Sequence, residues 1–190
     1  SLQDGGFAVA FQSDGQDGDG NGIYLKLYDG SGQATSDEIQ VNTTTVGNQL
    51  FAGSAAVKSL DILPSGELVV VWQSDDSGNY DIYAQKFNAD GTRVGDEYLV
   101  NNVTEGEQVS GNVAVSQSGD IGIVWENQSA SDGTFQVKAK FFDNVGFQDE
   151  TTVTPPGDTS GETTTTTMSG GSGDEFRPIT IEEAINYLNS

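Results

Sequence analysis

The alternation of apolar and polar positions repeats three times along this chain. In each copy a glycine precedes an apolar run that ends in an aromatic residue, and an acidic Gly/Asn-rich loop and a second apolar run follow. The copies of the first run are Gly6–Ser13, Gly66–Ser74 and Gly119–Glu126. Their aromatic residues Phe11, Trp72 and Trp125 are 61 and 53 residues apart (72 − 11 and 125 − 72). A period of this length predicts a supersecondary unit that buries its apolar face against neighbouring copies.

The two apolar runs predict strands in different surroundings. Leu68–Trp72 is apolar on both faces, which is typical of a strand that is central in its sheet or packed between sheets. The aromatic residues that end these runs are predicted to belong to the core. The second run alternates, which predicts one buried and one exposed face. Its copies are Ile23–Tyr28, Ile82–Phe87 and Val137–Phe142. The chain is therefore predicted to be all-β.

Each repeat is predicted to contain four strands, because a weaker strand lies on either side of the two apolar runs. These weaker strands are predicted at Val57–Leu63, Val113–Ser116, Glu38–Asn42, Glu97–Asn101 and, in degraded form, Thr151–Thr154. Aligning Gly6 with Gly66 places Leu2 opposite Ile62, so the first repeat lacks most of its first strand. Four strands per repeat favour propeller-like blades, with a β-trefoil or a β-sandwich as the alternative.

The repeats divide residues 1–154 into 1–45, 46–104 and 105–154. Residues 155–175 are rich in Thr, Gly and Ser, which predicts a flexible linker. In residues 176–190, Thr180 and Glu183 have the spacing of a helical capping box. One face of a short amphipathic helix would then carry Ile181, Ala184, Ile185 and Leu188. Such a helix can fold back onto its own domain, dock on another subunit or a secretion apparatus, or belong to an engineered tag.

Composition narrows the choice of partners and compartments. The chain has 29 acidic and 7 basic residues and a formal net charge of −22. This negative field repels nucleic acids and anionic membranes and attracts divalent cations. The absence of cysteine excludes disulfides and suits a bacterial extracellular protein. No segment approaches the ~20 apolar residues of a membrane span. The first four residues have no signal-peptide pattern, so export would use a cleaved leader or a C-terminal signal.

The acidic loops between the second and third strands are the predicted metal sites. In the first repeat, Asp17-x-Asp19-x-Asn21-Gly22 has the alternating oxygen ligands that open a calcium loop. A complete EF-hand is excluded, because the twelfth position is Tyr28 and not Glu. The alternative is a hairpin loop rich in turn-forming residues. The candidate calcium ligands are Asp14, Asp17, Asp19, Asn21, Asp75, Asp76, Asn79 and Asp81.

Catalytic patterns are not evident in the sequence. Histidine, the commonest general base, is absent, and the 29 acidic residues single out no carboxylate pair for glycoside hydrolysis. No phosphate-binding loop, nucleophile motif or basic patch occurs. The chain is therefore predicted not to be an enzyme.

The segments Leu2–Tyr24 and Ile82–Gly91 resemble the tandem repeats of large, acidic RTX-type surface proteins and adhesins of bacteria. The resemblance covers residues 1–154 and weakens in the third repeat, and the RTX nonapeptide itself is absent. It implies an extracellular or cell-surface location, calcium binding, and an adhesive or structural role.

The vacant strand position predicts how such a protein would associate. A strand from another copy could pair with the exposed edge, which would give head-to-tail rings, filaments or a surface layer. The leading hypothesis is a secreted, calcium-supported structural subunit that self-assembles by strand exchange. The alternative is an adhesive or glycan-binding module of a larger bacterial surface protein.

Overall fold

A computed structural model describes residue 2 and residues 5–53, 58–143 and 147 of the chain. Within these residues the protein is all-β, as predicted, and forms three antiparallel sheets with no helix and no closed barrel. The β-trefoil alternative contains a barrel and therefore does not describe this part of the chain. The predicted linker (155–175), helical tail (176–190) and last strand (Thr151–Thr154) lie outside the described residues.

Each sheet is formed by one repeat. The strand order is β1–β2–β3 in the first sheet, β4–β6–β7–β8 in the second, where β5 also pairs with β6, and β11–β10–β9 in the third. The strands are β1 (Phe7–Asp14), β2 (Asn21–Tyr28), β3 (Ile39–Gln40), β4 (Gln49–Leu50), β5 (Leu60–Ile62), β6 (Leu68–Ser74), β7 (Asp81–Phe87), β8 (Arg93–Leu99), β9 (Glu107–Val115), β10 (Ile121–Gln128) and β11 (Phe135–Phe142).

The second sheet has the predicted four strand positions. Strands β4 and β5 lie along the same edge of β6, because Gln49 pairs with Ser74 at one end of β6 and Ile62 pairs with Leu68 at the other. The fourth strand β8 lies earlier than predicted and ends at Leu99. One more backbone bond follows, from the N–H of Val100 to the carbonyl of Ile82 at 2.8 Å, and the N–H of Ile82 then donates to the side-chain Oδ1 of Asn101 at 2.7 Å.

Among the described residues the first sheet has no first strand, as the repeat alignment predicted. Strand β1 is equivalent to β6 and β10, since Phe11, Trp72 and Trp125 pair with the equivalent residues Tyr24, Tyr83 and Lys138. Both β6 and β10 have a strand on either side, whereas β1 is the last strand of its sheet in the described part of the chain.

The three sheets pack face to face, and alternate residues of β6 point into two different cores. Leu68, Val70 and Trp72 pack against the first sheet, whereas Val69 and Val71 pack against the third. In the second sheet we call the face that carries Leu68, Val70 and Trp72 the front and the opposite face the back. The same names apply to the equivalent faces of the first and third sheets. The prediction that this strand packs between sheets and that Trp72 belongs to the core is confirmed.

The second apolar run of each repeat was predicted to have one exposed face, and this prediction is wrong for β7. Gln85 and Lys86 are both buried, with 0% and 4% of their surface exposed. Both faces of the second sheet are covered, so these polar groups need internal partners. The Nε2 of Gln85 donates to the carbonyl of Lys86 at 2.9 Å, and the Nζ of Lys86 lies 3.2 Å from a carboxylate oxygen of Glu67.

Candidate functional site

The open edge of β1 is the first candidate site. In the second sheet the N–H of Val71 donates to the carbonyl of Ser59 beside β5, at 2.8 Å. Ala10 is the repeat equivalent of Val71, since both precede the aromatic residue of their strand by one. By this equivalence the N–H of Ala10 points to the edge that has no neighbouring strand in the described residues.

A groove of about 600 Å³ lies beside this edge. It is lined by Phe7 and Ala8 of β1, by residues 58 and 60–64 around β5, and by the segment 115–117 that follows β9. The first strands of the second and third repeats are joined here, because the N–H of Val113 donates to the carbonyl of Lys58 at 2.9 Å. The groove therefore lies where a first strand of the first repeat would complete this arrangement.

The acidic loop between β1 and β2 is the second candidate site. Asp14 and Asn21 are paired residues at the ends of the two strands. The Oδ2 of Asp17 accepts a hydrogen bond from the Nδ2 of Asn42 at 3.0 Å, and its Oδ1 is buried without a hydrogen-bond partner. Asp19 accepts the N–H of Gly47 at 3.1 Å. The loop is thus fastened to the segment that connects the first and second sheets.

The equivalent loop between β6 and β7 uses its oxygen atoms in a similar way. Asp75 accepts hydrogen bonds from the backbone N–H and the side-chain Nδ2 of Asn48, and Asn48 also accepts one from the Nδ2 of Asn21. Asp76 accepts from the Oγ of Ser74 at 3.2 Å. Asn48 therefore links the two acidic loops by hydrogen bonds.

Asn79 and Asp81 lie at the far side of this second loop. The Oγ of Ser77 donates to the Oδ2 of Asp81 at 2.9 Å and lies 3.2 Å from the backbone carbonyl of Asn79. Asp81 is buried, and the Nδ2 of Asn101 donates to it at 2.7 Å. Burial raises the pKa of Asp81, and the hydrogen bonds from Asn101 and Ser77 oppose that rise.

The candidate calcium ligands are therefore not gathered into one cluster. Across the described residues, no group of three or more Asp, Glu, His or Cys side chains is placed to hold a metal ion. Three amides that the sequence analysis did not single out hold the loops: Asn48 bonds to residues of both, whereas Asn42 bonds to Asp17 in the first and Asn101 to Asp81 in the second. A signal for two of them exists in the repeat, because Val41-Asn42 and Val100-Asn101 are 59 residues apart (100 − 41).

Comparisons with known proteins give weak structural similarity. No protein-family model and no curated protein matches the chain. The crystal structure of an endo-arabinase from Bacteroides thetaiotaomicron is similar at 15% sequence identity and a TM-score of 0.48. The match covers 77% of this chain and 55% of that chain, so the described protein spans about half of the endo-arabinase. A match at this level assigns neither an activity nor a substrate to this chain.

The prediction that the chain is not an enzyme is contradicted by this comparison, because the matched protein is an endo-arabinase. We withdraw that prediction. It rested on missing motifs and on the number of possible carboxylate pairs, neither of which identifies a fold. The match names no residue of this chain, so no catalytic group is assigned.

A search for membrane spans gave no candidate: within the described residues, no helix is both long and apolar enough to cross a bilayer.

Proposed function

We propose that this chain is an extracellular structural subunit that self-associates by accepting a strand on the open edge of β1. The observation that carries the proposal is the unequal pairing of three equivalent strands. Strands β6 and β10 each have two neighbours, whereas β1 has only β2 among the described residues. An added strand would gain backbone hydrogen bonds, and its side chains would enter the adjacent groove.

The sequence of β1 supports this role. Exposed edge strands in soluble proteins are usually protected by lysine, proline, a bulge or a short length. Strand β1 has eight residues, Phe-Ala-Val-Ala-Phe-Gln-Ser-Asp, and contains neither lysine nor proline. It pairs with β2 in an unbroken register from Phe7 to Asp14, so its free edge is regular. A regular apolar edge of this kind is suited to pairing with another chain.

The location and the cation requirement are separate parts of the proposal. The net charge of −22 and the resemblance to bacterial surface repeats support an extracellular setting. Calcium is proposed only for the first acidic loop, where the buried Oδ1 of Asp17 lacks a hydrogen-bond partner. Because the carboxylates do not converge, this part requires a rearrangement of the loop on binding. Assembly at the β1 edge does not depend on it.

The edge is tested by removing one backbone N–H. Ala10→Pro deletes the donor at the open edge, and Ala10→Ser is the matched control that keeps it. Proline is tolerated on an edge strand, where no ladder bond is lost within the sheet. In sedimentation velocity over a concentration series, the wild-type protein and Ala10→Ser should form dimers or larger species. Ala10→Pro should associate at least about tenfold more weakly, since one hydrogen bond is lost and the ring blocks approach.

Two results would overturn the proposal. One is a wild-type protein that stays monomeric at high micromolar concentration. The other is association of Ala10→Pro equal to that of the control, with both variants showing the wild-type circular dichroism spectrum. If the monomeric protein bound defined oligosaccharides on a glycan array, the glycan-binding alternative would replace self-assembly.

A further inference from the structure

The two outer faces of the three-sheet stack are apolar and exposed. On the front of the first sheet, Phe7 and Val9 are 41% and 40% exposed. On the back of the third sheet, Phe135 and Val137 are 62% and 43% exposed. Clustered exposed apolar residues at the two ends of a soluble protein indicate contact surfaces.

The internal repeat shows what each type of face packs against. The front of the second sheet contacts the back of the first, and the front of the third contacts the back of the second. The residues that fill these two contacts occupy equivalent positions. From the fronts they are Leu68, Val70 and Trp72 in one contact and Ile121, Ile123 and Trp125 in the other. From the backs they are Ala8, Ala10, Ile23 and Leu25 in one and Val69, Val71, Ile82 and Ala84 in the other.

The front of the first sheet has the same construction. Phe7, Val9 and Phe11 of β1 are the repeat equivalents of Leu68, Val70 and Trp72. Two aromatic pairs make this face broad and flat. Phe7 stacks on Tyr28 with ring centroids 5.0 Å apart, and Phe11 stacks on Tyr24 at 5.8 Å.

The back of the third sheet has the construction of a receiving face. Val137 and Ala139 are the repeat equivalents of Ile82 and Ala84, which are fully buried against the third sheet. Next to them, Phe141 lies across β10 at Gly122, where a Cβ atom on the glycine would come within 3.2 Å of the ring. The absent side chain thus allows the aromatic ring to lie over the strand.

A lysine occupies the same position on the fronts of the first and third sheets, where the second sheet has Gln85. Lys140 on the front of the third sheet is 3% exposed, and its Nζ donates to the carbonyl of Val100 in the second sheet at 3.2 Å. Lys26 occupies the equivalent position on the front of the first sheet, two residues beyond Tyr24 as Lys140 is two beyond Lys138. Its side chain is 28% exposed.

We infer that the front of the first sheet docks on the back of the third sheet of a second copy of this chain. Each copy carries one face of either type, so the contact is head-to-tail and produces a ring or a filament. The inference rests on the proposed self-association and names a surface for it that is distinct from the β1 edge. The occupant is a second copy because the chain itself already contains two contacts built from the same positions.

The test uses one variant for each face. Val9→Lys places a charge on the front of the first sheet, and Val137→Lys places one on the back of the third. Both positions are exposed in the monomer, so both variants should fold, as checked by circular dichroism and thermal melting. With the β1 edge blocked by Ala10→Pro, each variant should associate at least about 100-fold more weakly than Ala10→Pro alone, because the contact would bury a lysine charge in place of an apolar side chain.

Mixing the two variants provides the decisive measurement. Val9→Lys retains an intact third-sheet back, and Val137→Lys retains an intact first-sheet front. When both variants also carry Ala10→Pro, which blocks the β1 edge, a mixture should therefore form 1:1 heterodimers in sedimentation velocity and stop at that size. As a control, Val46→Lys changes an exposed valine (62%) outside both faces and should leave association unchanged.

The outcomes separate this inference from the proposed function. If the wild type associates, Ala10→Pro weakens it, and the two face variants behave as the wild type, the inference fails and strand exchange stands. If the mixture of face variants remains monomeric while the wild type associates, the inference also fails. A monomeric wild type overturns both.

Discussion

Strands β1 and β6 have nearly the same apolar pattern but very different surroundings. Val70 in β6 is fully buried, whereas its equivalent Val9 in β1 is 40% exposed. The difference arises from neighbours and not from the strands themselves, since within the described residues β6 has a sheet on either face and β1 has one only on its back. A similar apolar pattern therefore produces a core strand in one repeat and a surface strand in another.

In the third sheet, too, the burial of a face depends on whether a neighbouring sheet covers it. The apolar face of β11, which includes Val137 and Ala139, points outward, while Lys140 points into the core. In the second sheet the equivalent apolar residues Ile82 and Ala84 are buried by the next repeat. The repeat thus encodes a face that requires a neighbour, and the last described sheet has none among the described residues. This asymmetry between the middle and the outer sheets can be measured.

The largest expected effect is a difference in stability between alanine substitutions at two equivalent valines. Val70→Ala should lower the free energy of unfolding by about 2.5 kcal/mol, because two buried methyl groups are lost and a cavity remains. Val9→Ala should lower it by less than about 0.5 kcal/mol in the dilute monomer, since the side chain is partly exposed. Guanidinium denaturation monitored by tryptophan fluorescence gives both values. Equal losses in the two variants would show that the first sheet is already covered.

A second comparison uses the equivalent lysines. Lys140→Met should destabilise the protein by about 2 kcal/mol, because the Nζ donates to the hydroxyl of Tyr98 at 2.7 Å and to the carbonyl of Val100, and these buried acceptors would lose a charged donor. Lys26→Met should cost about 0.5 kcal/mol or less, since its ion pair with Glu38, at 3.8 Å, is solvent-exposed. Urea titrations of the two variants check the difference. A larger loss for Lys26→Met would contradict the assignment of faces.

The repeat register, the all-β class and the missing strand could be predicted because they depend on local alternation and on spacing. The exposed face predicted for β7 could not be correct, because burial of Gln85 depends on a sheet that is distant in sequence. The same limit applies to the acidic loops. Spacing placed Asp17 and Asp19 in one loop, but it could not show that Asn42 and Gly47 would supply their hydrogen bonds. A local sequence pattern does not show which hydrogen-bond partners a distant part of the chain will supply.

The first and third acidic loops are expected to differ in how calcium affects the stability of the protein. If the loop between β1 and β2 binds calcium, the ion at ten times its Kd should stabilise the protein by about 1.4 kcal/mol, and EDTA should lower the melting temperature. Asp17→Asn should abolish this response, whereas Asp132→Asn, in the third repeat, should retain it. Differential scanning fluorimetry with calcium and with EDTA provides the readout. A wild-type melting temperature that is indifferent to chelation would remove calcium from the proposal.

The smallest expected effect concerns turns that do not depend on a neighbouring sheet. Asp90, between β7 and β8, accepts hydrogen bonds from the hydroxyl and the N–H of Thr92, at 2.7 and 2.9 Å. Asp29, between β2 and β3, accepts equivalent bonds from Ser31. The side-chain hydrogen bonds from Thr92 and Ser31 are the main reason that the pKa of each carboxylate is lowered.

A carboxylate whose pKa is lower in the folded than in the unfolded protein stabilises the fold above its unfolded pKa of about 4, and this contribution is lost as the pH falls through the lowered folded pKa. Asp90→Asn and Asp29→Asn should therefore each lower the melting temperature slightly at pH 7, and the difference from wild type should shrink below pH about 4. Asp96→Asn, at an exposed position in β8, is the control. Since both turns are exposed, the second sheet should respond no more than the first. A clearly larger response at Asp90 would mean that the neighbours of the middle sheet also stiffen its turns.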